Sequence, residues 1–192
     1  MPALPPDLQK FHDDVEAADR KAEGLTAALT DEQFFWRPDG GSRWSIALCL
    51  DHLAVSNSVY GAAVGEGIAM ARSRGWQRRG PAVPGFFGRQ FANSLEPPAK
   101  FRSSAPGKIQ PMPSRGRNEI LRASRDAHDR IRELIRQAAE FDTNRATFPN
   151  PFFSFVKVSV STGFQVICAH DRRHLWQAER VIQDPGFPPV SG

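Results

Sequence analysis

Two histidines, His170 and His174, are the residues whose type and spacing most directly point to chemistry. They lie four positions apart in the stretch CAHDRRHLWQAER, residues 168–180, which otherwise has the pattern of a helix. Positions four apart on a helix share one face, with Cβ atoms about 5 to 6 Å apart, and this spacing suits two ligands of one metal ion. The pair therefore predicts either half of a metal site or two ordinary histidines.

The surroundings of the pair favour a metal. Both histidines border the apolar stripe of their helix, so they face other helices of a bundle rather than open solvent. Imidazoles that face a bundle need polar partners, and a metal ion held between two helices is one such partner. The stretch HDRRH lacks the glutamate of the HExxH pattern of metalloproteases, so it does not indicate that class.

A third ligand has to come from another helix, and His52 in CLDHLAVSN is the strongest candidate. It lies between apolar positions in the first half of a predicted helix. His128 in SRDAHDRIREL and His12 in FHDDVEAADR have charged neighbours, and we predict that both are solvated.

The sequence names no general base. Asp51 and Asp171 each adjoin a candidate ligand, but adjacent helical positions point about 100° apart, and Asp171 is predicted to be a surface charge. Gln177 is expected to hydrogen-bond a group that surrounds the metal ligands, a substrate or another polar side chain of the bundle. Trp44 and Trp176 are predicted to line the core or a pocket rather than to take part in catalysis.

Four long helices have to position these residues. Apolar residues at spacings of three and four predict helices over 5–29, from Ser42 or Ser45 to about 72, from Ser114 to about 140, and over about 161–183. Thr30 and Gln33 fit a capping box and predict a short helical turn. Residues 73–113 and 141–160 are interrupted by proline, and we expect the first of these segments to be a loop that folds over the domain. Without a convincing sheet, the fold class is an all-α four-helix bundle.

Length and composition agree with this fold. The 192 residues suit a single domain, 1–192, with a sizeable core, and 40% of them are hydrophobic. No run approaches the roughly 20 apolar residues of a membrane helix, and the N-terminus does not resemble a signal peptide, so we expect a cytoplasmic protein with no membrane partner. Cys49 and Cys168 are predicted to be small buried residues rather than a disulfide.

The net charge of +4 comes largely from arginines between positions 72 and 117. No recognition motif and no regular aromatic interleaving accompany them, so we expect no nucleic-acid partner. The arginines predict a solvated basic loop or a site for a small anion.

Several stretches together resemble the DinB-like superfamily. They are RWSIALCLDHLAVSN, CAHDRRHLWQAERVI, and the RP, Gly and WS pattern over residues 37–45. The resemblance implies a four-helix bundle of the DinB-like type, with a divalent metal held by His52, His170 and His174. It also implies a homodimer. Many similar proteins are described only as metal-dependent hydrolases, and some are S-transferases that use low-molecular-weight thiols.

Three imidazoles leave coordination positions open, which is typical of catalytic metal sites. Zinc or nickel is the expected metal, with iron and manganese as alternatives. We therefore expect a divalent-metal-dependent enzyme that activates a low-molecular-weight thiol, or water, for attack on a small electrophilic substrate. Arg78, Arg79 and Arg89 are expected to hold an anionic thiol if their loop covers the metal. The alternative is a non-catalytic bundle that binds a metal or a small ligand.

Overall fold

The computed structural model of the protein describes residues 3–98, 106–112 and 114–189. Six α-helices are found there. They are α1 (Pro6–Thr26), α2 (Asp31–Phe35), α3 (Ile46–Ser73), α4 (Phe86–Leu95), α5 (Arg117–Ala138) and α6 (Val160–Ile182). Two short strands, β1 (Thr147–Pro149) and β2 (Lys157–Ser159), form an antiparallel hairpin between α5 and α6. Residues 99–105 of the predicted loop lie outside the described residues.

The four long helices pack as a bundle, which confirms the predicted all-α fold class. Helix α3 packs against both α5 and α6, and α1 packs against the same two helices. The apolar positions of each helix recur every three or four residues, so each presents one continuous buried stripe to its neighbours. Cys49 and Cys168 are buried and unpaired, as predicted.

Two serine caps fix where the site-bearing helices begin. The Ser45 side chain accepts a hydrogen bond from the Leu48 N–H at 3.1 Å, so α3 begins at Ile46. The Ser159 side chain accepts from the Thr162 N–H at 3.3 Å and begins α6 directly after β2. Such caps satisfy backbone donors that have no partner within the helix. The capping box at Thr30 is also present and begins α2.

Two elements within the proline-rich segments differ from the prediction. Residues 86–95 form α4, which packs on α6, where we expected only loop. Its apolar residues show no helical periodicity in the sequence, because Ala92 is its single buried residue while Phe86 and Phe87 are exposed. The hairpin was missed because each strand has three residues and Pro149 ends β1. The described part of residues 73–113 is therefore partly helical.

No α-helix of the described residues is both long enough and apolar enough to cross a membrane.

We predict that Gly163→Ala destabilises the bundle. A Cβ atom at Gly163 would lie 2.8 Å from a methyl carbon of Val64 and 2.9 Å from the Phe148 ring. Both neighbours are fully buried, so the substitution overpacks the core and should cost about 1 to 3 kcal/mol in the free energy of unfolding. Urea denaturation measures this.

The matched control is Gly24→Ala in α1, where a Cβ atom would meet nothing within 4 Å. Alanine is the better helix former there and should raise stability by up to about 1 kcal/mol. Equal effects of the two substitutions would contradict the packing argument.

Candidate metal site

Three histidine rings converge between α3 and α6. His52 Nε2 lies 3.2 Å from His170 Nε2, and His174 Nε2 lies 3.1 Å from the same atom. Helix α3 contributes His52 from its second turn, and α6 contributes the other two from successive turns of one face. We call these three residues the triad. The residues that the sequence singled out as metal ligands are therefore brought together.

The outer nitrogen of His52 fixes how that ring is used. His52 Nδ1 lies 2.6 Å from the carbonyl oxygen of Ile109. A carbonyl oxygen can only accept a hydrogen bond, so Nδ1 carries the proton and donates it. The lone pair of Nε2 is then directed toward the other two rings.

The other two rings are held in a similar way. His174 Nδ1 lies 3.0 Å from Gln177 Oε1, and His170 Nδ1 lies 3.4 Å from Ser56 Oγ. The Ser56 hydroxyl donates to the Leu53 carbonyl at 3.2 Å, so its oxygen is left to accept from His170. With these partners all three Nδ1 atoms are donors, and three Nε2 lone pairs face one another. Gln177 thus orients the His174 ring, which decides among the roles that the sequence left open for it.

The environment keeps these imidazoles neutral. Burial lowers the pKa of all three rings, to about 3 for His170 and well below its ordinary value for His174. The other rings of the triad lower the pKa of His170 and His174 further, because two positive charges at this distance repel. Neutral imidazole is the form that binds metals, since its lone pair is free.

The residues present fit a divalent cation. Each triad residue offers one nitrogen, and these nitrogens all lie within 4.8 Å of one another. Three converging lone pairs in a buried site repel one another unless a positive charge lies between them. Ligand histidines typically donate their other N–H to a carbonyl, amide or hydroxyl oxygen, as the rings do here. The triad could therefore hold a metal ion through its three Nε2 atoms.

A short segment, residues 106–112, covers the His52 side of the triad, and we call it the strap. Asp51, fully buried, accepts hydrogen bonds from the Met112 N–H and from Arg115 Nη1, the latter at 2.8 Å. Asp51 thus holds the strap in place. The Ile109 carbonyl of the strap in turn orients the ring of His52, the residue that follows Asp51 in α3. Its carboxylate is engaged away from the triad, in agreement with the expectation that it does not point at a metal.

An indole ring forms one wall of the triad. The Trp44 ring centroid lies 5.0 Å from that of His52 and 5.7 Å from that of His174. This agrees with the predicted lining role. Trp176 is half-buried on α6. His52 is 1% exposed and His174 8% exposed, and His170 is the most exposed residue of the triad.

The prediction for Asp171 is wrong, because this residue is buried rather than a surface charge. It is 1% exposed and accepts a hydrogen bond from Asn57 Nδ2 at 2.8 Å. Its second oxygen lies 3.4 Å from His128 Nε2. The prediction that His128 is solvated is also wrong, since it is 1% exposed and its Nδ1 lies 2.6 Å from Asp19.

The sequence misled because the charged neighbours of His128 project from other faces of α5. His128 itself shares the buried stripe of Ser124, Ile131 and Ile135. His12, likewise predicted to be solvated, has a side chain that is only 12% exposed, with Nε2 lying 3.2 Å from Arg136. His12, Asp13 and Glu16 form the second group of possible ligand atoms in the described part of the chain.

The expected role of Arg78 at the metal is wrong. Arg78 binds the Asp7 carboxylate of α1 at 2.6 Å, and the Ala82 N–H donates to the same carboxylate. Arg78 also lies beyond the C-terminal end of α3, about 30 Å of helix away from His52. Arg79 follows it and is exposed, and Arg89 is exposed on α4. The basic segment therefore does not cover the triad as a unit.

Sequence reasoning missed three residues that lie in or next to the surroundings of the triad. Ser56 follows His52 by four residues, so helical spacing carried a usable signal. Asn57 and Ile109 carried none, because the partner of Asn57 lies on another helix and Ile109 acts through its backbone carbonyl.

A helical bundle with three imidazoles converging between two of its helices belongs to a class of proteins whose facing helices could hold a metal ion between them. A family model described as the DinB superfamily matches residues 14–178. The chain therefore belongs to the DinB superfamily. No curated protein and no solved structure gives a significant match to it.

We predict that the charged form of His128 stabilises the fold and that this stabilisation is lost at alkaline pH. Burial disfavours its charged form, but Asp171 from α6 and Asp19 from α1 outweigh burial and raise the pKa from 6.5 to about 10. Because its pKa is higher in the folded state, His128 stabilises the fold fully below pH 6.5, and this stabilisation is lost as pH rises through about 10. Arg132 also contacts Asp19 and stays charged throughout this range.

Urea denaturation of wild type and His128→Gln from pH 6 to pH 10 measures this. The difference in unfolding free energy should shrink as pH rises. Asp7→Asn serves as the control, since the lowered pKa of Asp7 lies outside this window and its difference should stay constant. A constant difference for His128→Gln would contradict the assignment of a charged imidazolium.

Proposed function

We propose that the protein binds one divalent metal ion through His52, His170 and His174 and is a metal-dependent enzyme. The observation that carries the proposal is the convergence of three Nε2 atoms, with those of His52 and His174 at 3.1 to 3.2 Å from that of His170 and with every Nδ1 held from outside. Zinc or nickel suits imidazole ligands best. Three protein ligands leave positions open, as in catalytic rather than structural sites.

The proposed reaction is attack by a low-molecular-weight thiol on a small electrophilic substrate. The metal, when bound, would favour the ionised form of a nucleophile near neutral pH and bring it next to the substrate. The nucleophile loses its proton to solvent, its sulfur bonds to the electrophilic carbon, and the leaving group departs with the electrons of the broken bond. The reaction needs no oxidant or reductant.

The chain's own residues favour a thiol over water. Hydrolysis usually needs a group that moves a proton, and the two carboxylates next to triad residues are engaged elsewhere. Asp51 binds the strap, and Asp171 binds Asn57 and His128. A thiol ionises far more readily than water, so it needs a protein base less. Trp44 supplies an apolar wall against which the nucleophile or the substrate can pack.

The second candidate function is a bundle that binds a metal or a small ligand without catalysis. The engagement of Asp51 and Asp171 supports it as well, since a binding protein needs no base. Turnover separates the two candidates.

We also propose that the protein is a cytoplasmic homodimer with no nucleic-acid partner. The exposed apolar side chains of α4 support the dimer, because a surface that carries Phe86, Phe87 and Phe91 gains free energy when it is covered.

The first prediction concerns metal content. Wild-type protein purified without chelator should carry about one divalent ion per chain, and alanine at any triad position should remove most of it, since two imidazoles hold a metal far more weakly than three. Elemental analysis measures this. His12→Ala is the control, because it removes the other described histidine with carboxylates at ligand distance and should leave the content unchanged. Equal metal content in wild type and the triad variants would remove the site.

The second prediction concerns turnover. Metal-loaded wild type should accelerate the reaction of at least one small thiol with a model electrophile, and apo protein and His170→Ala should not. A panel of thiols with a chromogenic electrophile measures this. Turnover by His170→Ala at the wild-type rate would defeat the proposal. A bound metal without turnover with any thiol or with water would favour the binding protein.

The third prediction concerns assembly. Light scattering at micromolar concentration should give twice the chain mass of 21.3 kDa, and Phe87→Ser should shift the protein toward the monomer, because Phe87 is 85% exposed in one chain. Phe35→Ser on α2, 39% exposed, is the matched control and should leave the dimer intact. A 21.3 kDa species alone in wild type would contradict the dimer.

A further inference from the structure

A buried polar network lies directly behind the triad. It consists of Asn57 from α3, Asp171 from α6, His128 from α5 and Asp19 from α1, so each long helix supplies one member. Its contacts run from Asn57 to Asp171 at 2.8 Å, from Asp171 to His128 at 3.4 Å, and from His128 to Asp19 at 2.6 Å. Its three inner members are at most 2% exposed.

The network and the triad share the same helical turns. Asp171 directly follows His170, so one turn of α6 directs an imidazole to the triad and a carboxylate to the network. On α3, Asn57 directly follows Ser56, whose hydroxyl oxygen lies 3.4 Å from His170 Nδ1. The hydrogen bond between Asn57 and Asp171 therefore ties α3 to α6 at the level where both helices present metal ligands.

Stability alone does not account for such a network. Charges buried in a bundle cost several kcal/mol to desolvate, and apolar residues of similar volume often replace a buried ion pair with no loss of stability. Apolar packing leaves neighbouring helices some freedom to slide, whereas directional hydrogen bonds set one register. A metal site needs its ligands placed to within about 0.5 Å.

We infer that Asn57, Asp171 and His128 are positioning residues that set the register of α3 against α6, and thereby the affinity and geometry of the triad for a metal ion. This rests on the proposed metal-binding function. The three residues do not touch the metal; they act by fixing where His52 stands relative to His170 and His174.

Two variants separate positioning from a simple effect of charge. Asp171→Asn removes a negative charge near the triad, and His128→Gln removes a positive one, each with little change in volume. If the network acted through its charge, the first variant would weaken binding of a cation and the second would strengthen it. If it positions the helices, both weaken binding. Asn57→Leu changes no charge, cuts the tie between α3 and α6, and should also weaken binding.

The experiment is titration of the full-length apo protein with Co²⁺, followed by visible absorption, alongside the melting temperature of each variant. We expect all three variants to raise the Kd for Co²⁺ by about 10- to 100-fold and to alter the ligand-field bands, which report coordination geometry. Asp7→Asn is the control. It breaks a partly buried carboxylate pair with Arg78 and the Ala82 N–H away from the triad, and should leave the Kd and the bands unchanged.

Opposite changes in Kd for Asp171→Asn and His128→Gln would overturn the inference in favour of a charge effect. A wild-type Kd and wild-type bands in all folded variants would overturn it outright. If Asp171→Asn does not fold, Asn57→Leu is used instead, and a raised Kd supports the inference whereas a wild-type Kd overturns it. Absence of Co²⁺ binding by wild type would instead defeat the proposed function, and the positioning role with it. Wild-type binding with unaffected variants leaves the proposed function standing, so the two failures are distinguishable.

Discussion

The mutual repulsion of three imidazole lone pairs is the constraint on which the site depends. His170 Nε2 lies 3.1 to 3.2 Å from the Nε2 atoms of the other two rings, and both of those residues, His52 and His174, are buried. Nothing in an apolar bundle favours that arrangement, so each ring needs a partner at Nδ1 that keeps it from turning away. Those partners come from three sources: the strap, the adjacent turn of α3 and the adjacent turn of α6. The surrounding structure therefore holds the Nδ1 atoms of the three rings as well as bringing their Nε2 atoms together.

The strap shows how a segment without regular structure becomes part of a rigid site. Its regular structure is limited to a single helical turn at Gly107–Ile109, which packs against α3. Its position is set by the buried carboxylate of Asp51 and by the ring Nδ1–H of His52, which belong to two consecutive residues of α3. The Asp51 side chain anchors the strap, and the His52 ring donates a hydrogen bond to the Ile109 carbonyl of the strap. Loss of the Asp51 anchor would therefore reach the triad through the backbone of residue 109.

The sequence predicted the parts of this protein that depend on local pattern. Helical periodicity located the long helices, and the candidate caps Ser45 and Thr30 located the starts of α3 and of the short α2. The spacing of His170 and His174 located one half of the triad, because these signals each lie within one element. What it missed depends on how elements meet. Helix α4 buries only Ala92, so it has almost no periodic signal. The burial of His128 and Asp171 depends on which faces of α5 and α6 pack together, which the composition of the flanking residues does not reveal.

The two polar clusters of the bundle are separated by charge state, and this bears on the chemistry. The triad holds neutral rings with lowered pKa values, while the network behind it holds a charged imidazolium between two carboxylates. Asp171, the carboxylate nearest to His170 along the chain, is bound within the network and is not free to take a proton from a nucleophile. A site arranged in this way suits a nucleophile that gives up its proton readily. A thiol meets that condition more readily than water does, so under the proposed function the buried charges behind the triad also bear on which nucleophile the site can use.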